Sequence, residues 1–468
     1  MREWGIYSAS LSLLLSVSGE AAVEVTLDKA IERALENNKL VLVQKQEVER
    51  ARGGVLESKA GLFPTLSISG TYSRLSDLPE LQFATPLFDT LQFEVFDDGG
   101  TRIGYAYVPS IAGFRQNRFR LGQESNYVGK LSFRQPIFTW GRILHGYEIA
   151  KLNLSSVEED LRRAKNEVEY KVTEAFYHVL FGENLLELAK ESHAQIRRHL
   201  DMVERRYDAG LASRFDLLRA KVQLANRDPE VVRAENAVTM AKNSLKIALG
   251  IPCSEEVEVR GGLEYVAAEM DLERALGIAL AQRPEIRILG LRRSMAEKAL
   301  AIVQSSNKPS LGFLANYTYG KPYMLEDQWG GNWDATLALE IPLFDGGITA
   351  GRTRQMKAQL HQAEVNLEMV KTAVEFEVRN VLLELGEAVA LVESQKENVK
   401  QAEEALEIAE ERYENGLLTS LEVMDTQLAL AQAKTAYLEA LCGYLIARSR
   451  LKKVVGGDDV DSRIDNER

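Results

Sequence analysis

Cysteine is nearly missing from this sequence: Cys253 and Cys442 are its only two in 468 residues. Two thiols cannot build a disulfide framework, and without a CxxC spacing they give no reason to expect a zinc site. Prolines (11) and glycines (33) are too sparse for a low-complexity chain. Positive charge is in deficit, with 57 Lys and Arg against 69 Asp and Glu and a net charge of −12. A surface of that sign repels phosphate backbones, so nucleic acid is not an expected partner. Catalytic signatures are also missing: there is no GxSxG, HExxH, P-loop or dinucleotide fingerprint. The five histidines (His145, His178, His193, His199, His361) are scattered without a metal-ligand pattern. His193 falls on an apolar seam, which suits a core or lumen-facing residue better than a ligand. No enzyme, cofactor or metal is expected.

Long apolar runs are lacking as well. Outside the N-terminus no uncharged stretch approaches the roughly 20 residues that a membrane helix needs. At the N-terminus, Arg2 precedes the short apolar run Ile6–Val17, and Ser18, Gly19, Ala21 and Ala22 follow. That order predicts a signal peptide over residues 1–21. No cysteine follows the run, which argues against a lipid anchor there. An exported chain without a spanning helix is periplasmic, secreted or a β-barrel.

What the sequence does have is an internal repeat. At an offset of 206 residues, Pro136-Ile137-Phe138 and Gly141 match Pro342-Leu343-Phe344 and Gly347. At the same offset Arg206-Tyr207, Gly210 and Leu211 match Arg412-Tyr413, Gly416 and Leu417. Upstream the offset is 245: Leu27-Asp28-Lys29-Ala30 matches Leu272-Glu273-Arg274-Ala275, and Pro64-Thr65-Leu66 matches Pro309-Ser310-Leu311. The two offsets differ by 39 residues, an insertion in the first copy at about 74–127. The chain therefore reads as a first repeat over 22–250 and a second over 251–456, with a short acidic tail, 457–468, expected to be disordered.

Each copy predicts a helix, a strand, a second strand, a very long helix, a turn and a long helix. Val378, Leu385, Val392, Val399, Leu406 and Tyr413 recur every seven residues, beside Val374, Val381, Ala388, Ala402 and Ala409. The first copy repeats this with Val172, Val179, Leu186, Leu200 and Tyr207, beside Val168, Ala175, Ala189, Ile196 and Val203. Seams of period seven sustained this long mean coiled-coil packing. Arg142 to Tyr207 would be about 100 Å long at roughly 1.5 Å per residue, and no compact globule holds such an element. Glycines 210 and 416 are expected to end these helices. The next helix of the second copy keeps a seam through Leu417, Met424, Ala431, Leu438 and Leu445, with Leu421, Leu428 and Cys442 opposite; Cys442 reads as a small core residue. Pro229 is expected to kink the matching helix of the first copy.

Four segments alternate with period two. In Thr65–Tyr72, Leu66, Ile68 and Tyr72 alternate with Ser and Thr; in Lys130–Ile137, Leu131, Phe133 and Ile137 alternate with polar residues. In the second copy the same holds for Leu311, Phe313, Ala315, Tyr317 and Tyr319, and for Trp333, Ala335, Leu337, Leu339 and Ile341. A soluble half-buried sheet gives this pattern, and so does a membrane strand of 9–11 residues with a polar inner face. Four strands cannot close a barrel, and lipid tolerates no open sheet edge. A barrel reading therefore requires several copies of the chain.

The order of these parts resembles the TolC-type outer-membrane efflux family. The residues that carry the resemblance are Leu27-Asp28-x-Ala30-Ile31-x-x-Ala34-Leu35-x-x-Asn38, Phe63-Pro64-x-Leu66, Gln135-Pro136-Ile137-Phe138 with Gly141, and Ile341-Pro342-Leu343-Phe344-Asp345-Gly346-Gly347. Arg206-Tyr207-x-x-Gly210-Leu211 and Arg412-Tyr413-x-x-Gly416-Leu417 belong with them, so the likeness covers roughly residues 25–456. It implies a mainly α fold with a small β part, made of two tandem repeats of strand pairs and long coiled-coil helices. It further implies a homotrimer with a 12-stranded outer-membrane β-barrel continued by a periplasmic α-helical barrel. The implied function is a passive exit channel of a tripartite efflux or type I secretion system. Substrates would come from an inner-membrane transporter through a periplasmic adaptor, and the barrel would contact outer-membrane lipid. The rival reading is an exported periplasmic coiled-coil scaffold.

The resemblance also implies a site. Tyr413, Glu422 and Asp425 fall where the family closes its pore, with Asp216 at the matching place in the first copy. The family holds this tip with a tyrosine and an arginine, and Leu418 stands where the arginine would be, so packing would replace a charge-paired lock. On residue chemistry alone, Glu422 and Asp425 read first as acidic residues in the first turns of a helix, and Asp216 is equally compatible with a first-turn helix charge. Gly210, Leu211, Ser213, Gly416, Leu417 and Thr419 would form the adaptor-docking tips, although turn chemistry alone explains the glycines. In the insertion, Asp97-Asp98-Gly99-Gly100 between alternating runs predicts an extra hairpin.

Overall fold

The computed structural model describes residues 23–456 apart from 121, 267–269 and 325; the predicted signal peptide 1–21 and the tail 457–468 lie outside the described residues. In chain order, β1 (Val23–Val25) leads into α1 (Leu27–Asn37) and α2 (Lys39–Ala60). Then come β2 (Thr65–Arg74), β3 (Glu80–Phe96), β4 (Arg102–Arg120), β5 (Ser125–Phe138), α3 (Arg142–Asp208) and α4 (Arg214–Leu249). The second half carries β6 (Val257–Val259), α5 (Leu272–Gln282), α6 (Pro284–Gln304), β7 (Ser310–Lys321), β8 (Gly330–Glu340), α7 (Ile348–Glu414) and α8 (Ser420–Val455). The halves match in their helices: α3 and α7 have 67 residues each, α4 and α8 have 36 each. Among the described residues no helix is long and apolar enough to cross a membrane.

One compact unit comprises Leu56–Glu148 and Lys298–Met356. Its main sheet has the order β2-β5-β7-β8 and is antiparallel throughout. Because successive side chains point to opposite faces, the register sorts whole rows by polarity. Leu66, Phe133, Ala315 and Ala335 form one row, and Ile68, Leu131, Tyr317 and Trp333 another. Ser67, Ser132, Asn316 and Asp334 lie between them on the other face, followed by Ser69, Lys130, Thr318 and Asn332. Asn316 Nδ2 donates to Asp334 Oδ2 at 2.9 Å, which ties that polar face together. The apolar face is uncovered: Ile68 is 83% and Trp333 76% exposed.

β3 and β4 pair only with each other, as a hairpin within the insertion. Its turn closes as the Asp-Asp-Gly-Gly sequence predicts. Gly100 N–H donates to the Asp97 carbonyl at 2.9 Å, and Asp97 Oδ1 accepts from the N–H groups of Gly99 and Thr101.

The other unit comprises Ile149–Glu297 with the described residues of Met1–Val55 and Lys357–Arg468. The period-seven seams are its core. Val374, Val378, Val381, Leu385 and Val392 of α7 pack with Ala440, Leu441, Tyr444 and Leu445 of α8 and with Ala275 and Ala279 of α5. Val168, Val172 and Val179 of α3 pack with Leu245 and Leu249 of α4 and with Ala30 and Ala34 of α1. Each valine or leucine among them contributes about 1.5–3 kcal/mol when fully buried, which sustains helices too long for propensity to hold alone. Cys442 is buried, with its Sγ 3.8 Å from the Tyr177 carbonyl of α3.

One detail of the helical seams differs from the sequence reading. Leu417, Leu421 and Leu428 are exposed, and α8 buries Val423, Gln427 and Leu430 in their place. Near its start α8 turns a different face to α7, so the leucines point away from the seam. Pro229, the expected kink position, lies inside α4, which forms one helix from Arg214 to Leu249. A proline removes one N–H from the ladder, and the helix resumes on either side of that gap.

Candidate functional site

The site is built where α3 and α7 end and α4 and α8 begin. Both turns follow from the same short sequence. In Tyr-x-x-Gly-Leu the glycine sits in the left-handed region, φ 73° at Gly210 and 74° at Gly416. The following leucine N–H then reaches back to the carbonyl of Arg206 (2.7 Å) or Arg412 (2.9 Å), and the glycine N–H to Tyr207 or Tyr413. This pair of bonds closes the helix C-terminus. A capping box opens the next helix: Ser213 with Asp216 in α4, Thr419 with Glu422 in α8.

These boxes decide what two of the expected pore carboxylates do. Glu422 accepts from the Thr419 N–H and hydroxyl, each at 2.8 Å. Those bonds hold its carboxyl below the ordinary carboxylate range. Asp216 accepts from Ser213 Oγ at 2.6 Å in the same way. Asp425, one turn further along α8, is exposed. Of the expected docking residues, Leu211 and Leu417 project into solvent at 73% and 76% exposure. Gly210, Ser213, Gly416 and Thr419 are exposed beside them.

Tyr413 is placed differently from its repeat partner. Tyr413 is 6% exposed and Tyr207 38%. Tyr413 packs with Ala409, Val423, Met202 and Leu418, so the leucine at the expected arginine position serves as packing. Arg206 of α3 donates from Nη1 to the Tyr413 carbonyl at 2.8 Å and lies 4.8 Å over its ring. Among the described residues no hydrogen bond joins Tyr413 to Asp216 or Asp425.

The sequence reading missed His199. It is buried, with Nε2 2.8 Å from Ser420 Oγ and its ring 5.4 Å from that of Tyr413. Burial lowers its pKa, and Glu410 opposes that shift. Glu410 accepts from Gln195 of α3 at 3.3 Å and Gln427 of α8 at 3.4 Å. A signal was available: the repeat puts Ala405 where the first copy has His199. His193, which fell on the seam, instead bonds Asp228 at 3.0 Å. Among the described residues no cluster of His, Cys, Asp and Glu could hold a metal ion.

An amphipathic open sheet in one chain with 67-residue coiled-coil helices that end in tight tips defines a class, the helical-duct channels of membranes. The family model for outer membrane efflux proteins matches residues 30–251 and 275–457, and the chain belongs to that family. It is similar to outer membrane protein TolC of Vibrio cholerae, 23% identical over 319 residues that make up 65% of this chain and 73% of the relative. It is likewise similar to the alkaline protease secretion protein AprF of Pseudomonas aeruginosa, 22% identical over 71% of this chain and 70% of the relative. Its fold matches the crystal structure of the outer membrane protein VceC of Vibrio cholerae with a TM-score of 0.72, at 18% identity over 92% of this chain and 96% of that one. The chain is thus an outer-membrane efflux channel extending into the periplasm, and the rival reading of a periplasmic scaffold is not favoured. The family is made up of channel proteins.

Proposed function

We propose that the chain works as a homotrimer whose three four-stranded sheets close one 12-stranded barrel. The observation that carries this is the row-by-row sorting of the sheet, apolar on one face and polar on the other, with both edge strands unpaired. Lipid accepts the apolar face and rejects the edges, so closure by further copies satisfies both. A second stripe on α7 supports it: Met369, Phe376 and Leu383, seven residues apart, are exposed on a helix whose other seam is already buried. An exposed heptad stripe suits a helix of another copy.

In this reading residues 22–250 and 251–456 are two repeats that each supply two staves and a pair of long helices. The duct is passive and catalyses nothing. Substrate arrives from an inner-membrane transporter through a periplasmic adaptor that docks at Gly210, Leu211, Ser213, Gly416, Leu417 and Thr419. The pore closes at the α7–α8 tip, where threefold symmetry brings Tyr413, Glu422 and Asp425 of each copy round the axis, with Asp216 in the neighbouring turn. A ring of carboxylates binds cations and repels anions.

Single-channel conductance of the detergent-extracted protein in a planar bilayer tests this. Cation-selective openings, blocked by divalent cations less strongly after Glu422→Ala with Asp425→Ala, are expected. Openings indifferent to that double substitution would move the constriction elsewhere, and a well-folded protein that needs no detergent and conducts nothing would overturn the duct.

A further inference from the structure

We infer that His199 is a proton-sensitive latch that holds the start of α8 against α3 and lets go when the periplasm turns acidic. The inference rests on the reading of the α7–α8 tip as the moving constriction.

Three hydrogen bonds tie α3 to that tip, and each crosses from the first half of the chain to the second: His199 to Ser420, Arg206 to Tyr413, and Gln195 to Glu410. Ser420 is the first residue of α8, directly after the Thr419 cap. Displacing Ser420 therefore displaces the turn that carries Glu422. His199 is the only one of the three α3 partners whose charge changes between pH 5 and 8.

The groups facing the imidazole come from every element packed round it. From α7 come the Glu410 carboxylate and the Tyr413 ring. From α8 comes the Ser420 hydroxyl, itself against the Met424 sulfur at 3.7 Å. Arg206 lies along His199's own helix and is stacked on the same tyrosine. Glu410 is the one anion, and two amides already occupy it. A second proton on His199 thus puts a charge into a 4% exposed site whose one anion is already engaged by two amides. Burying a charge so poorly compensated is costly, and the imidazolium lowers that cost by leaving the seam for water.

The sign follows from the direction of the shift. Burial makes the latched pKa lower than the free value of 6.5. The latch is therefore at full strength above 6.5 and weakens as pH falls below it toward the latched pKa. One proton per copy gives up to about a tenfold change in the latched-to-released ratio per pH unit in that window.

The experiment titrates the pH on the periplasmic side of the full-length protein in a planar bilayer, comparing wild type with His199→Gln. Glutamine still reaches Ser420 but does not titrate. Hydrogen exchange of the segment 417–427 is compared between the two proteins at each pH. Open probability and tip exchange should rise with acid in wild type and stay level in the variant. Ser420→Ala, which cuts the same bond from the other side, should open more at neutral pH. Equal acid responses in wild type and His199→Gln, or no response in either, would overturn the latch. If acid loosens the tip in exchange while conductance is unmoved, the latch stands and the constriction at the tip is what fails.

Discussion

Arg206 of α3 caps Tyr413 of α7 twice, donating to its carbonyl at 2.8 Å and lying 4.8 Å over its ring. The matching pair of the repeat, Arg412 and Tyr207, forms no such unit, and Tyr207 is left half exposed. A hydrogen bond from a charged donor is worth about 1.5–3 kcal/mol and a cation–π contact about 0.5–1. Arg206→Met is therefore expected to cost the closed tip about 2 kcal/mol, a roughly 30-fold shift toward opening at about 1.4 kcal/mol per factor of ten. Arg206→Lys should recover part of it, because a lysine keeps the charge but loses the planar stack. Bilayer recordings of both variants measure the shift; an unchanged open probability would leave Arg206 a purely structural clamp.

The two carboxylates of the tip should respond differently, because Glu422 is committed to its own cap and Asp425 is free in solvent. Asp425→Asn is expected to weaken Mg2+ block of the channel more than Glu422→Gln does. The Glu422 carboxyl is held below its ordinary value of 4.5 by the Thr419 N–H and hydroxyl. A depressed carboxylate contributes stability above its free pKa and loses it as pH falls through the lowered one. The α8 start should thus fray only below about pH 4.5, and Glu422→Gln should abolish that acid step, as read by circular dichroism. Equal loss of block from both substitutions would argue against the division of roles.

What the sequence displayed and what it hid divide along a physical line. The strand faces and the Tyr-x-x-Gly-Leu turns are written in neighbours two to seven residues apart, and period alone reveals them. His199 and Ser420 lie 221 residues apart, and no local pattern announces a pair that only the packing of α3 on α8 creates. Tyr207 and Tyr413 carry the same motif yet differ in burial, since His199, Met202 and Arg206 of α3 close over Tyr413. The parallel pair β1 and β6, Val-Glu-Val against Val-Glu-Val, escaped notice because three residues are too few to display a period. Leu417 in the turn and Leu421 and Leu428 on α8 keep an apolar spacing without entering the chain's own core; a second apolar face looks the same in sequence as the first.

The cysteines offer a test of the helical core. Burial pushes the Cys442 thiol up to about 11, while Cys253 is exposed. A thiol with that pKa is only about one part in a thousand thiolate at pH 8, and the thiolate is what alkylates. Iodoacetamide at pH 8 should modify the native protein once, at Cys253, and the guanidinium-unfolded protein twice. Mass spectrometry of tryptic peptides reads both sites. Rapid native labelling of Cys442 would mean that the contact of α8 with α3 at Tyr177 opens far more often than its packing allows.

The sorted rows of the sheet make the sharpest demand on the fold. Ile68 and Ser69 are adjacent in β2, yet their registers put them in opposite rows: Ile68 with Leu131, Tyr317 and Trp333, Ser69 with Lys130, Thr318 and Asn332. If the apolar face meets lipid, an arginine there costs about 2–4 kcal/mol near the middle of the bilayer, and the cost recurs in every copy. An arginine on the polar face joins Lys130 in water and costs little. Ile68→Arg should therefore deplete the protein from the outer-membrane fraction and lower the temperature at which the detergent-extracted assembly dissociates. Ser69→Arg should leave both unchanged and make the channel more anion-tolerant. The opposite ranking would mean that the faces are reversed, with the apolar rows turned inward against a soluble core, and the barrel would fall with them.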